Sequence, residues 1–378
     1  MTVTTVVRIN WPGGVQRIAM REVELLRRHG IKAEAVFLRC THRVGTQALS
    51  PPDHIQFPQS NRSGAIAHLL RLITMHFNPE RGPDATVDLD LILRYELNRG
   101  RQDLVIYSDQ LAASFAPLGH WLHGDQYAVY IHESAFKHTN RLKRIQERFA
   151  LSRARLVFTN AERNKALIES NVPVSVQVLY PGTDGPIQNM LPFGQRIDEA
   201  ISVTMWDSGR HPEVFVEVAR HLTVGRIVLA GNWADSTEMS RVQRLIELAG
   251  VSGRIVITGP LAEDELKARY KVAKAAIRFG YDEIGPGMST LEAISYGLPL
   301  IINLGVGFKE VAQDSVNAIF ADPSRPEEIA RLLERLFTDA GHWNRMSTSS
   351  IDLSKNLSWD RHGNKLVESV MEVLARNE

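Results

Sequence analysis

The sequence predicts an α/β protein made of two units, and three observations predict it. Short β-branched runs alternate with helical segments along most of the chain, a Pro/Gly-rich stretch divides these runs near the middle, and the last amphipathic helix is followed by no strand. Such alternation is the pattern of parallel sheets flanked by helices, because each crossover must return the chain to the same sheet edge.

The first unit opens with "TTVVRIN", a β-branched run that stops at "WPGG". In the following "VQRIAMREVELLRRHG", Val15, Ile18, Ala19, Val23 and Leu26 recur at helical spacing, and Gly30 is a C-terminal stop. "KAEAVFL" reads as the next strand. "SPPDHIQFPQSNRSG" is loop-like, and "AIAHLLRLITMHF" reads as a helix apolar on one face. "DLVIYS", "QYAVYIH" and "ARLVFTN" continue the strands, and "SVQVLYPGTDGPIQNM" starts as a strand before dissolving into a linker. The second unit offers "ISVTMW", "RIVLAG", "RIVITG", "AAIRFG", "PLIIN" and "NAIFA", with helices such as "HPEVFVEVARHL" and "EMSRVQRLIELAG" between them. It closes on the helix "WDRHGNKLVESVMEVLARN".

Composition narrows the function classes. Lys plus Arg total 44 against 43 for Asp plus Glu, so no global field argues for a nucleic-acid partner. The single cysteine, Cys40, excludes an internal disulfide framework and suits a reducing cytosol. No apolar run approaches the roughly 18 residues that span a bilayer, and the start of the chain lacks the basic and apolar regions of a signal peptide. A cytoplasmic protein is expected. Its one candidate for peripheral contact, at the inner membrane face, is the 137–155 region. There Lys137, Arg141, Lys143, Arg144, Arg148, Arg153 and Arg155 interleave with Leu142, Ile145 and Phe149; an ordinary solvated helix face is the competing reading.

Four stretches carry chemistry. Pro12 to Gly14 form a turn between strand and helix, where glycine amides can approach an anion or simply make a tight turn. "YIHES" puts His132 at the carboxyl edge of a strand, the edge where open α/β sheets bind ligands; a strand-end hydrogen bond would also explain it. Arg210, next to Gly209, precedes a helix and can meet phosphate oxygens bidentately, or lie in a surface loop. Finally, "FGYDEIGPGMSTLEAISYGLPLI" sets Asp282, Glu283 and Glu292 around a glycine turn. Amides at 287–289 (Gly287, Met288, Ser289) would meet phosphate while the carboxylates bind hydroxyls. The bland alternative is a capping box formed by Ser289 and Glu292. "DLD" at Asp88–Asp90 copies a metal-binding pattern, but its helical setting reads as a solvated face, so no metal site is expected.

Taken together these pieces resemble the retaining GT-B glycosyltransferases of family 4. The resemblance runs through "INWPGGVQRIAMREVELLRRHGIKAEAVFL", "ARLVFTNAERNKALIESNVPVSVQVLYPGTD", "LEAISYGLPLIINLGVGFKEV" and "LSWDRHGNKLVESVMEVL". It implies a GT-B fold, two Rossmann-like domains facing each other across a cleft. Residues 1–184 would bind the acceptor, 185–200 would link, 201–357 would bind the nucleotide sugar, and 358–378 would cross back onto the first domain. It further implies that Gly14 meets the diphosphate or acceptor side and that His132 sits near the transferred sugar. Arg210 would neutralise the diphosphate, while Gly259, Pro260 and Leu261 contact the base. Glu283 would bind sugar hydroxyls and Glu292 the ribose. The implied co-substrate is a nucleoside-diphosphate sugar, uridine or guanosine, with no separate cofactor and an acceptor left undefined.

Two departures from that family's pattern stand out. Its two glutamates are separated by seven residues, whereas eight separate Glu283 from Glu292, and the strict counterpart is Ile284. Its arginine five positions before the second cation falls on Met205, so one cation is either lost or moved, with Arg17 and Lys309 as the candidate replacements. The expected site is positive at one lip and lined with carboxylates at the other. Two other functions share this architecture: a non-hydrolysing sugar-nucleotide epimerase and a non-catalytic nucleotide-sugar-binding subunit.

Overall fold

The structure, a computed structural model, describes residues 1–10, 14–40, 55–56, 83–137 and 141–375. The helix expected over "AIAHLLRLITMHF", together with Pro12 and Gly13, lies outside the described residues. The chain divides into two compact units: Met1–Leu179 with His362–Glu378, and Tyr180–Arg361.

In the first unit a parallel sheet runs β3-β2-β1-β4-β5-β6-β7. Its strands are β1 (Thr2–Asn10), β2 (Lys32–Cys40), β3 (Ile55–Gln56), β4 (Leu104–Tyr107), β5 (Gln126–Ile131), β6 (Leu156–Thr159) and β7 (Val176–Val178). All four residues of β4 and of β6 are buried, as expected where helices cover both faces of a parallel sheet. The helix Gly14–Arg28 buries Ile18, Ala19, Val23, Leu25 and Leu26 and ends at Gly30, whose φ of 78° a side chain would resist.

The second unit repeats the plan with a parallel sheet ordered β10-β9-β8-β11-β12-β13. Its strands are β8 (Ile197–Val203), β9 (Arg226–Ala230), β10 (Ile255–Gly259), β11 (Ala273–Arg278), β12 (Leu300–Ile302) and β13 (Ala318–Phe320). Its core packs Phe215, Ile227, Leu229, Ile277, Phe279, Leu333 and Phe337 on one side, and Val228, Leu291, Ile294, Leu300 and Phe308 on the other. Both sheets are doubly wound. Their strand order reverses between β1 and β4 in the first and between β8 and β11 in the second, the points where such sheets bind ligands.

The stretch 185–200, expected as a linker, differs from that reading. It contains a 3-10 turn, Phe193–Gln195, and β8 already starts at Ile197. The strand signal was diluted there by Asp198 and Glu199, whose carboxylates take part in ion pairs to Lys274 and to Arg226 with Arg269. Asp88 and Asp90 lie in the helix Pro83–Asn98; their side chains are outside the described residues. The closing helix spans Trp359–Ala375.

Candidate active site

The richest chemistry lies at the reversal point of the second sheet, in the loops that leave β8 and β11. Trp206 anchors the first loop. It is buried, its indole nitrogen donates to the Ala230 carbonyl at 3.0 Å, and its amide donates to Asn232 at 2.7 Å. The chain then makes a 3-10 turn, Ser208–Arg210, passes through His211 at φ 49°, and enters the helix Glu213–His221. That turn carries Arg210 at the carboxyl end of the sheet.

The second loop is built on close glycine contacts. The Asn303 side chain accepts from the Gly280 amide and donates to its carbonyl, both at 3.0 Å. A β-carbon at Gly305 would fall 2.0 Å from the Gly280 oxygen, and one at Gly307 would fall 2.0 Å from the Gly285 oxygen. Only glycine permits this stacking of backbones. The Glu283 amide donates to Gly305 at 2.9 Å, and Asp282 and Gly285 hold positive φ values of 55° and 67°. Non-glycine residues in this region cost energy that the surrounding contacts must offset, and they concentrate at functional sites.

The two loops meet. The His211 ring packs edge-on against Tyr281 at 4.6 Å, and Arg210 pairs with one oxygen of Glu283. The same oxygen receives Arg278, the last residue of β11. Arg278 keeps only 12% of its side chain exposed, whereas Arg210 keeps 32% and is the more accessible of the two. Burial pulls the Arg278 guanidinium below its ordinary range, and Arg210 adds to that effect while Glu283 opposes it.

This arrangement changes the expected picture in three ways. Arg210 and Glu283, read as opposite lips, touch each other because both loops leave neighbouring strands. A second guanidinium, Arg278, which the sequence reading did not name, lies beside Arg210 on Glu283, while Lys309 donates to the Leu304 carbonyl at 2.5 Å. An arginine within the apolar run "AAIRFG" was the available signal, since a buried guanidinium in a central strand requires a partner. The capping box also fails to form: helix Met288–Ser295 has Gly287 as its N-cap with no side-chain cap, so Ser289 lies inside the first turn and Glu292 a turn further on. Gly287, Met288 and Ser289 therefore stand at a helix start where amides lack intrahelical acceptors. Gly259 ends β10 at φ 67°, its carbonyl accepting from Gly231 at 2.9 Å, with Pro260 and Leu261 following in the loop. Gly209 lies in the Arg210 turn.

In the first unit Gly14 begins its helix and is exposed. His132 follows β5, its ring lying 3.9 Å from that of Tyr130. Both its ring nitrogens are buried without a hydrogen-bond partner among the described residues. Burial, with a smaller push from His362, lowers its pKa to about 3, so the imidazole is neutral at ordinary pH. Nearby, His362 and Glu22 form a buried contact at 3.0 Å that ties the closing helix to the first.

Comparison with known proteins bears on both units. Residues 201–352 match the family model "Glycosyl transferases group 1". A D-inositol 3-phosphate glycosyltransferase of Streptomyces bingchenggensis is 28% identical over 121 residues, 32% of this chain and 26% of that protein. An uncharacterized glycosyltransferase of Methanocaldococcus jannaschii is 29% identical over 132 residues, 34% of this chain and 33% of that one. The aligned stretches thus span about a quarter to a third of these relatives' own length. Over the whole chain, the fold is similar to Anabaena Alr3699/HepE in complex with UDP and glucose, with a TM-score of 0.76 and 13% identity, covering 98% of this chain and 100% of that one. It is likewise similar to sucrose-phosphate synthase from Thermosynechococcus elongatus, with a TM-score of 0.75 and 13% identity, covering 100% of both chains. The chain therefore has the GT-B fold, and residues 201–352 of its second unit are similar to the glycosyl transferases group 1 family.

Proposed function

We propose that the protein is a retaining glycosyltransferase that moves a sugar from a nucleoside-diphosphate sugar to an acceptor hydroxyl. The observation that carries this reading is the pair of guanidinium groups, Arg210 and Arg278, at the reversal point of a sheet within the glycosyl transferases group 1 match. The Anabaena structure, which holds UDP and glucose on the same fold, supports a nucleotide sugar as the ligand class.

Departure of the diphosphate places negative charge on the leaving oxygen. Two fixed guanidinium groups and the amides at 287–289 are donors of the kind that stabilise such charge in the transition state more than in the ground state. They can supply the charge that a metal ion supplies elsewhere, so the proposed reaction is metal-independent. In a front-face transfer the acceptor oxygen bonds to the anomeric carbon as its bond to phosphate breaks. The acceptor's proton passes to the departing phosphate oxygen, and no covalent enzyme intermediate forms. Glu292, on the helix that follows, is assigned to the ribose hydroxyls, and the loop at Gly259, Pro260 and Leu261 to the base. Glu283 is assigned to the sugar.

A second proposal concerns placement at the inner membrane face. The helix Arg141–Arg153 buries Glu147, Ala150 and Leu151, while Leu142, Ile145 and Phe149 are 59%, 51% and 48% exposed. Spacings of three and four put those three on one face, and Arg141, Arg144, Arg148 and Arg153 are exposed as well. Apolar residues among arginines suit an anionic lipid surface. No helix among the described residues is long and apolar enough to cross a membrane. Sedimentation with anionic vesicles but not neutral ones is the expected result, and equal recovery with both refutes the contact.

Thermal-shift screening against nucleoside diphosphates and their sugars, followed by transfer assays with an acceptor panel, tests the function. Transfer with retained anomeric configuration is expected. Sugar inversion without any acceptor would indicate an epimerase instead, and donor binding without turnover a non-catalytic subunit.

A further inference from the structure

A part-buried charge cluster with unequal signs needs an explanation. Arg210 and Arg278 bring two guanidinium charges to one oxygen of Glu283, a single carboxylate. This trio therefore retains one net positive charge in a setting where Arg278 and Glu283 are almost covered. Desolvating an unbalanced charge is costly, and a fold seeking only stability would balance it or replace it with apolar residues.

The way Glu283 is held adds a second observation. Its carboxyl group folds over Gly280: a β-carbon there would come within 2.5 Å of the carboxyl carbon and 2.8 Å of each oxygen. Gly280 has no positive-φ requirement, so its lack of a side chain is needed for the carboxylate rather than for the backbone. The carboxylate thus lies in space that a side chain at position 280 would fill. The guanidinium groups come from a strand end and from a turn anchored by Trp206.

We infer that Glu283 is an internal placeholder: in the unliganded protein it occupies a two-arginine phosphate seat, and the donor's phosphate groups displace it. This rests on the donor reading above and deepens it by adding Arg278 as a phosphate-binding residue. A carboxylate on the seat keeps both guanidinium groups aimed while no ligand is present, which lowers the ordering cost when one arrives. A phosphate oxygen makes the same charge-assisted contacts with more negative charge, so exchange is favourable. Once displaced, Glu283 is free to accept from sugar hydroxyls, which couples seating of the phosphate to recognition of the sugar.

Pyrophosphate is the informative probe, because it has neither base nor sugar. Calorimetric titration at low ionic strength should show Arg278→Met weakening pyrophosphate about tenfold or more, as loss of a charged hydrogen bond does. Glu283→Gln should tighten it several-fold. Gly280→Ala, which moves the carboxylate without changing the charge, should tighten it in the same direction, and it keeps the test alive if Glu283→Gln folds poorly. Affinity of Arg278→Met within twofold of the parent, or no tightening in either of the other two variants, overturns the placeholder. If the parent protein binds pyrophosphate and nucleoside diphosphates not at all, the donor reading itself falls; normal parental binding with unresponsive variants removes only this inference.

Discussion

The two sheets reverse their strand order in the same way, yet the side chains beside those points differ in how they handle burial. In the second unit the charged groups meet in one contact network, with Arg210 and Arg278 sharing the single carboxylate of Glu283, and the neighbouring loop is stitched by Asn303. In the first unit the two ring nitrogens of His132 are buried and unpartnered among the described residues, and Asn160 and Ser108 also carry buried side-chain oxygens without partners there. Similar topology therefore yields one site where two arginines share a single carboxylate and another where a histidine ring has no partner among the described residues. The lesson is that fold determines where a ligand can bind, while local pairing determines how the side chains there hold their charge.

The largest effect should come from breaking the charged side of this contrast. Arg210→Ala should lower turnover by roughly 10²–10³-fold, the usual loss for one donor to developing charge, measured as initial transfer rate. Near-normal rates would show that the network is structural only. Next, Gly305→Ala tests whether the loop geometry supports the site. Its methyl group would meet the Gly280 oxygen, so we expect a loss of about 1–3 kcal/mol in denaturant unfolding, with weaker nucleotide binding. Unchanged stability would mean that the loops relax without cost.

Glu292→Ala sharpens the comparison inside the second unit. Because the helix is capped at Gly287 rather than by Ser289 and Glu292, the variant should weaken nucleoside-diphosphate binding about tenfold while stability changes little. Equal affinity in calorimetry would remove the ribose contact.

The smallest effect belongs to His132 and concerns pH. Its pKa is about 3 in the folded protein against 6.5 for the free side chain. Between these values the unfolded chain binds more protons, so the contribution of His132 to stability is full above about pH 6.5 and declines as pH falls toward 3, by at most about 1.4 kcal/mol per pH unit. His132→Gln should flatten the pH dependence of the melting temperature between pH 4.5 and 6.5. An unchanged slope would show that the imidazole gains its proton in the folded state as readily as in the unfolded one.

Much of this was legible in the sequence. The strands "RIVLAG", "RIVITG", "PLIIN" and "NAIFA" announced themselves as short β-branched runs between turn residues, and Arg210 and Glu283 were marked by their position after strands. Arg278 escaped because strand patterning treats a lone charge as noise. Its meaning comes from a partner five residues away that the glycine loop folds back, which no periodicity encodes. The start of β8 escaped for a related reason: Asp198 and Glu199 look like loop residues until Lys274, Arg226 and Arg269 are seen beside them. The placement of Glu283 against Gly280 depends on the absence of a side chain, which a sequence marks only as flexibility.

The central claim is that the reversal point of the second sheet seats a diphosphate on Arg210 and Arg278. A crystal structure with a bound nucleoside diphosphate tests it most directly. The expected result is phosphate oxygens within hydrogen-bonding distance of both guanidinium groups, with the Glu283 carboxylate turned away from them. A nucleotide bound elsewhere, or bound while Glu283 still holds both arginines, would contradict it.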